Sequence, residues 1–193
     1  SGHSVAIQSD GKIVVAGTTY NGANIGGDPD FALARYSVDG SLDNSFGLSG
    51  KVTTNFSASA DYGYAAAIQL DGKIIVAGVS YHNDGSGAVF ALARYNTDCT
   101  RDTAFGVAGK VTTDFGTGMA EVASVAIQPD GKIVAAGMRG IGAYENFAVA
   151  RYNTNGSLDN SFGAAGKVTT AIGPDQLGGE GQSVAIQADG KIV

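Results

Sequence analysis

Short apolar runs separated by glycine-rich turns recur along the chain at a regular interval. Aligned on the tripeptide Asp-Gly-Lys, the repeats start at equivalent aspartates that are 61, 59 and 59 residues apart. A fixed period of this kind is the signature of a repeat architecture. The four aspartates are Asp10, Asp71, Asp130 and Asp189. We therefore treat the chain as one array, with repeats at approximately 1–61, 62–120 and 121–179 and a partial repeat at 180–193.

Each repeat contains four runs with the composition of β-strands. The first two flank the Asp-Gly turn, where Gly11, Gly72 and Gly131 supply the positive φ that a tight hairpin requires. In the first repeat the third run begins at Phe31 and the fourth begins at Lys51. Because both faces of the third run are mainly apolar, each sheet has to be covered on both sides.

This pattern predicts an all-β fold: a β-propeller-like tandem array of four-stranded antiparallel blades, with three full repeats plus the first hairpin of a fourth. A β-solenoid is the main rival, but its coils are usually shorter and lack a repeated tight hairpin. Propellers typically use about four to eight blades, so we expect a longer array or two associating chains. Open blade edges favour such self-association.

Composition narrows the range of partners. Hydrophobic residues make up 44% and charged residues 16% of the chain, as in a folded protein. The net charge is -6 and most Lys and Arg residues are spread evenly by the repeat, which argues against nucleic acid as a partner. Since no run of eighteen apolar residues occurs, we expect no membrane insertion. The single cysteine, Cys99, cannot form a disulfide within the chain.

Sequence variation collects in two kinds of connection. Those between the second and third strands are predicted at 19–29, 80–89 and 138–146, and those between repeats near 57–64, 116–122 and 173–182. In an up-and-down blade these connections emerge on one side, where repeat arrays commonly bind a partner such as a carbohydrate or a protein. Tyrosines there can stack on sugar rings or anchor a protein. Drift of unconstrained surface loops explains the same variation. The ligand-binding candidates are Tyr20, Tyr62, Tyr64, Tyr81, Tyr144, Asp28, Asp30 and Asp84.

No catalytic constellation stands out, so we expect no enzyme activity. His3 and His82 are the two histidines, and nothing in the sequence assembles a nucleophilic site around either. A pair of carboxylates can cleave a glycosidic bond, but no spacing singles out a pair among the acidic residues outside the repeat pattern. These residues are Asp28, Asp30, Asp61, Asp84, Glu121, Glu145, Asp175 and Glu180.

No cofactor or resident metal is expected. Oxygen ligands for a loop calcium ion occur in two stretches, at Asn21, Asn24, Asp28 and Asp30, and at Asn83 and Asp84. Neither stretch has the EF-hand pattern, and turn formation alone explains Asn and Asp at such positions.

Other residues recur in every repeat and are predicted to be structural. An arginine in the third strand is followed at a fixed interval by an aspartate, which suggests a turn cap or an Arg–carboxylate pair at the blade edge. These pairs are Arg35 with Asp43, Arg94 with Asp102, and Arg151 with Asp159. Cys99 replaces a turn glycine, so we expect a residue with a Cβ at positive φ in the second repeat.

The successive blocks resemble the bacterial delta-sixty repeat family. They read Ser-Val-Ala-Ile-Gln-x-Asp-Gly-Lys-Ile-Val-x-Ala-Gly, Phe-Ala-x-Ala-Arg-Tyr, Gly-Ser-Leu-Asp-x-Ser-Phe-Gly and Gly-Lys-Val-Thr-Thr. The resemblance covers essentially the whole chain and implies β-propeller blades of unknown function in an exported protein, secreted or at the cell surface. It implies no catalytic residues. The second repeat departs from the pattern at Asp98-Cys99-Thr100-Arg101.

Three functional hypotheses follow. The preferred one is a non-catalytic extracellular or cell-surface module that binds a carbohydrate or protein, or acts as a scaffold, through its variable face. The alternative is an acidic-loop hydrolase acting on glycans, which requires two carboxyls about 5 to 10 Å apart in a cleft. The third is a structural array that self-assembles through its open ends.

Overall fold

Most of the described part of the chain is β-strand. The computed structural model describes residues 1–20, 28–142, 144–172 and 179–193. These ranges hold twelve strands and no α-helix, which confirms the all-β prediction, and they contain no helix fit to cross a membrane. In chain order the strands are β1 (Gly2–Ile7), β2 (Ile13–Tyr20), β3 (Pro29–Tyr36), β4 (Lys51–Thr54), β5 (Asp61–Ile68), β6 (Ile74–Tyr81), β7 (Gly87–Tyr95), β8 (Lys110–Thr113), β9 (Gly118–Ile127), β10 (Ile133–Ile141), β11 (Tyr144–Tyr152) and β12 (Lys167–Thr170).

Strands within a repeat pair antiparallel with their neighbours in sequence. Strands β1 to β4 form one sheet in that order, whereas β5 to β12 share an eight-stranded sheet in which β8 pairs with β7. The second and third repeats are joined where β7 runs parallel to β9, with Gly87 opposite Gly118. A Cβ on Gly87 would stand 2.0 Å from the Gly118 carbonyl oxygen, so glycine permits this contact. Among the described repeats, the predicted separate four-stranded sheet is therefore found in the first, whereas the second and third share one sheet.

The Asp-Gly-Lys turns have the predicted geometry. Gly11 has φ 81°, and its counterparts Gly72, Gly131 and Gly190 have φ of 80°, 82° and 82°. In the first turn Asp10 Oδ1 accepts a hydrogen bond from the Lys12 amide at 3.1 Å. Asp71 and Asp130 accept the equivalent bonds. The aspartate thus fixes the turn while glycine takes its left-handed position.

Several segments predicted as loops are strands instead. The predicted connection between Met138 and Asn146 is paired, since β10 continues to Ile141 and β11 starts at Tyr144. Tyr62 and Tyr64 were likewise placed in a connection, but both lie in β5. The prediction was wrong because it equated sequence variation with loops. Ladder hydrogen bonds use main-chain groups, so the side chains of a strand can vary without ending it.

The hydrophobic core lies between successive repeats. Strand β7 is buried on both faces, and its alternate residues face two different clusters. Phe90 and Leu92 pack in a cluster with side chains of the third repeat. Ala91, Ala93 and Tyr95 pack in a cluster with side chains of the first repeat. The prediction that a sheet must be covered on both sides is therefore confirmed for this repeat.

A buried ion cluster supports the connection between the third and fourth strands. Arg35 Nε donates to Asp43 Oδ2 at 2.8 Å, and Lys12 Nζ stands 3.1 Å from the same oxygen. A hydrogen bond from Ser45 and the Lys12 ammonium lower the pKa of Asp43, so this carboxylate stays ionised. Arg35 also donates to the Thr97 carbonyl of the next repeat at 2.7 Å. The cluster recurs as Lys73–Arg94–Asp102 and Lys132–Arg151–Asp159.

The turn that departs from the repeat pattern is strained. Cys99 has φ 78°, while the equivalent glycines Gly40 and Gly156 have φ of 84° and 87°. A residue with a Cβ thus occupies a conformation suited to glycine, as predicted. The Cys99 sulfur accepts a hydrogen bond from the Gly47 amide of the first repeat, so the side chain has an internal contact.

Candidate ligand-binding pocket

A β-bulge interrupts the first strand of each full repeat. The pairing with the second strand skips one residue, and the skipped residues are His3 in β1, Tyr64 in β5 and Ala123 in β9. Each stands seven residues before the aspartate of its Asp-Gly-Lys turn, and Gln182 occupies the same position in the partial repeat. Bulges re-aim a side chain and are frequent beside functional sites.

A glycine in the neighbouring strand makes each bulge possible. A Cβ on Gly137 would lie 2.0 Å from the carbonyl oxygen of Glu121, which is closer than any side chain tolerates. The equivalent glycines Gly17 and Gly78 would each bring a Cβ to 1.9 Å from the opposing carbonyl oxygen. The Ala-Gly that ends the second-strand motif is thus explained by the close approach of the first strand.

The bulge positions converge on one cavity of about 270 Å³. The residues that line it are His3, Tyr64, Glu121, Ala123, Met138, Glu180, Gly181 and Gln182. All four bulge-position residues are among them. Glu121 and Glu180 share a second repeat position, nine residues before the turn aspartate. We call this space the first-strand cavity, because the first strands of the repeats and the segment equivalent to one supply most of its walls.

A row of aromatic rings leads into the first-strand cavity. The rings of His3 and Tyr64 meet edge to face, with centroids 5.4 Å apart. Tyr64 is parallel to Tyr62 at 6.2 Å, and Tyr62 meets Tyr81 edge to face at 6.0 Å. We call these four residues the aromatic row. The row brings together three of the five tyrosines predicted to bind a ligand.

Two carboxylates face the first-strand cavity. Burial, followed by the nearby charge of Glu180, raises the pKa of Glu121. Glu180 Oε2 accepts a hydrogen bond from Gln182 Nε2 at 2.6 Å. Burial and the charge of Glu121 also raise the pKa of Tyr64, so its hydroxyl stays protonated and can donate a hydrogen bond. The eight described lining residues include two glutamates and one histidine, His3, and no lysine or arginine.

The remaining ligand-binding candidates do not line the first-strand cavity. Tyr20 and Tyr144 are exposed near strand ends. Asp84 accepts a hydrogen bond from the Ser86 amide at 2.9 Å, which is the behaviour of a turn residue. Asp28 is exposed before β3, whereas Asp30 is buried within β3 and is not a loop residue.

Asp30 and Asp61 form a second acidic feature, at the boundary between the first two repeats. Asp61 is fully buried, and its Oδ2 accepts hydrogen bonds from the Phe56 and Ser57 amides at 2.6 and 3.3 Å. Burial is the main reason that the pKa of each carboxyl is raised, and the charge of Asp30 adds to the effect at Asp61. Both side chains are closed to a ligand in solution, so their role here is structural.

A loop calcium ion was considered from the sequence as a possibility, whereas no resident metal was expected. In the described ranges no group of three or more His, Cys, Asp or Glu side chains is placed to hold a metal ion. Asn21 and Asn24, which were considered as calcium ligands, and Asp175, which was considered as a catalytic acid, lie outside the described residues.

Sequence reasoning missed part of the cavity wall. His3 was considered only as a member of a nucleophilic site; its side chain is exposed, and its ring borders the cavity. Ala123, Met138 and Gln182 were not considered. A usable signal was present in the shared spacing before the Asp-Gly-Lys turn, together with the glycine that marks a close backbone approach.

A family model agrees with the repeat assignment. The model is described as "Domain of unknown function (DUF5122) beta-propeller", and it matches residues 8–46, 69–105 and 128–162. These segments add up to more than half of the chain. The chain belongs to this β-propeller family. No curated protein matches it.

The family match covers the scaffold rather than the cavity. Each matched segment starts at the glutamine before an Asp-Gly-Lys turn and ends at a phenylalanine after the third strand. Of the eight described residues that line the first-strand cavity, seven lie outside the matched segments. The family description therefore leaves open what this particular β-propeller chain binds.

Proposed function

We propose that this chain is a non-catalytic binding module that holds one ring of a carbohydrate in the first-strand cavity. The main support is that the aromatic row reaches the same cavity as the polar side chains of Glu121, Glu180 and Gln182. Aromatic faces stack on the apolar face of a sugar, while carboxylates and amides accept and donate hydrogen bonds to its hydroxyls. The module is proposed to act outside the cell or at its surface.

The size of the cavity supports a small ligand. Pockets for drug-sized molecules span about 300 to 1,000 Å³. At about 270 Å³ the first-strand cavity lies just below that range, which favours a single sugar ring with its substituents directed outward. Such a ring would lie against Tyr64, with Glu121, Glu180 and Gln182 within the same wall.

We also infer that β1–β4, β5–β8 and β9–β12 act as successive propeller blades. The two core clusters lie between these groups of strands, as expected of blades packed face to face. Equivalent first-strand positions from four repeats line one cavity, as expected if the first strands are innermost. The three groups then contribute unequally to the shared site, with His3 from the first, Tyr64 from the second, and Glu121, Ala123 and Met138 from the third.

A sugar-binding titration with matched tyrosine variants tests the proposal. Calorimetry would be run with glucose, galactose, glucosamine, N-acetylglucosamine and their short oligomers. At least one should bind, and Tyr64→Ala should weaken that binding about fivefold or more, since stacking on an aromatic ring contributes about 1 kcal/mol or more. Tyr144→Ala is the control and should change affinity less than about twofold, because Tyr144 lies outside the cavity. Absence of binding to every sugar, or equal loss in both variants, would contradict the proposal.

A glycan hydrolase is the second candidate function, and the two glutamates favour it. Glu121 has a raised pKa, as a general acid requires, and Glu180 is the available second carboxylate. Release of reducing ends from oligosaccharides would distinguish the two functions. The binding module should release none, whereas a hydrolase should release sugar and lose that activity in Glu121→Gln.

A further inference from the structure

We infer that the first-strand cavity selects a sugar with a protonated amine, so its ligand is an amino sugar with a free ammonium group. The inference rests on the proposed carbohydrate-binding function and names the class of sugar. Two observations support it. Two glutamates face the cavity, and unlike the repeat aspartates they have no ion-pair partner among the described residues.

The repeat carboxylates of this chain have cations of their own. Asp43 is held between Arg35 and Lys12, and the same pairing recurs in the next two repeats. Among the described residues, neither Glu121 nor Glu180 has an ion-pair partner. Two carboxylates that face one cavity without a counter-charge favour a positively charged guest.

Arg139, the arginine of β10, does not supply a positive charge to the first-strand cavity. Met138 lies opposite Glu121 in the β9–β10 ladder, so the two share a face. Arg139 is the next residue and points to the opposite face. Gln182 donates one amide hydrogen bond to Glu180, which leaves the Glu180 carboxylate charged.

The neutral part of the wall also suits an ammonium group. Tyr64 borders the cavity beside the two glutamates, and a tyrosine face attracts a cation within about 6 Å of its ring. An amino sugar places one ammonium on a ring whose carbon face can lie on an aromatic side chain. A neutral sugar would use the same hydroxyl contacts but would offer neither carboxylate a positive partner.

Glucosamine and glucose separate the charge of the ligand from its shape, because they differ by one ammonium in place of one hydroxyl. Near neutral pH and low salt, glucosamine should bind at least about tenfold more tightly than glucose, or about 1.4 kcal/mol. N-acetylglucosamine, which has a neutral amide, should show no such advantage. Added salt should weaken glucosamine binding and leave glucose binding nearly unchanged.

Charge-neutral variants locate the effect. Glu121→Gln and Glu180→Gln should each remove most of the preference for glucosamine, measured as the ratio of glucosamine affinity to glucose affinity within the same variant. Glu145→Gln removes the same charge from a residue that does not line the cavity, so it should keep the preference.

The outcomes separate the two levels of the proposal. If the wild-type chain binds glucose and N-acetylglucosamine as tightly as glucosamine, the selection for an amine is wrong and carbohydrate binding stands. If the preference survives both glutamine variants, the ammonium is not bound by these carboxylates and the inference fails. If no sugar binds, the proposed function itself fails.

Discussion

Replacing Gly137 by alanine should disturb the first-strand cavity without removing any residue that lines it. Gly137 lies in β10 opposite the bulge of β9, and its backbone is pressed by the main chain around Glu121. A Cβ there would stand 2.0 Å from the Glu121 carbonyl oxygen and 2.9 Å from the Ala123 nitrogen. Because both neighbours are backbone atoms, the two strands have to separate to relieve the overlap.

The size of the effect follows from that separation. Side chains essentially never approach closer than 3.0 Å, so the strands must move apart by about 1 Å from the 2.0 Å contact. Overpacking of this kind costs about 1 to 3 kcal/mol, and loss of a ladder hydrogen bond adds about 1 kcal/mol. For a chain of this length, a cost of about 2 to 4 kcal/mol lowers the melting temperature by about 5 to 15 °C.

Gly140→Ala is the matched control in the same strand. A Cβ at Gly140 finds its nearest atoms at 3.7 and 3.8 Å, which is ordinary contact. This variant should therefore melt at or slightly above the wild-type temperature, since alanine reduces the entropy of the unfolded chain. Thermal melts followed by circular dichroism would compare the three proteins. Equal melting temperatures for Gly137→Ala and Gly140→Ala would refute the close approach that is argued to form the bulge.

Three further predictions concern stability. Cys99→Gly should stabilise the chain by about 0.5 to 1 kcal/mol, because relief of the left-handed strain outweighs the entropy gained by the unfolded chain. A lower denaturation midpoint for this variant would contradict the prediction. Tyr152→Phe should cost about 1 kcal/mol, since the buried hydroxyl donates to Thr113 of the preceding repeat at 2.7 Å. Tyr36→Phe is its control and should be neutral in the same denaturant titration. Asp61→Asn should gain stability relative to wild type as the pH rises above about 4, the ordinary pKa of an unfolded aspartate, because a raised folded pKa makes the ionised carboxylate a cost above its unfolded pKa. Melting curves that shift in parallel across this pH range would argue against it.

The repeats and their strands were accessible to sequence reasoning because local chemistry specifies them. Gly11 and its counterparts need positive φ, and the alternation of apolar side chains in β7 reports burial on two faces. The joining of β7 to β9 was not accessible, since it depends on two glycines that meet only after the repeats pack together. Strand ends were also missed where the side chains vary, as at Tyr62 and Tyr64.

The candidate site was only partly predictable. Tyr64 and Glu121 were recognised as candidates, but the sequence did not bring them together, because a bulge changes which side of a strand a residue faces. His3 and Gln182 carried no signal as single residues. Their shared position before the turn has meaning only when four repeats are compared around one cavity.

Mapping a bound sugar by the amide chemical shifts of the chain would locate the binding site. The claim is that side chains of the first strands, together with the equivalent segment at 180–182, form the binding site. With glucosamine as the probe, we expect the largest chemical-shift changes at His3, Tyr64, Ala123 and Gln182. Changes confined to the turn at 82–86, or a spectrum that does not respond to the sugar, would contradict it.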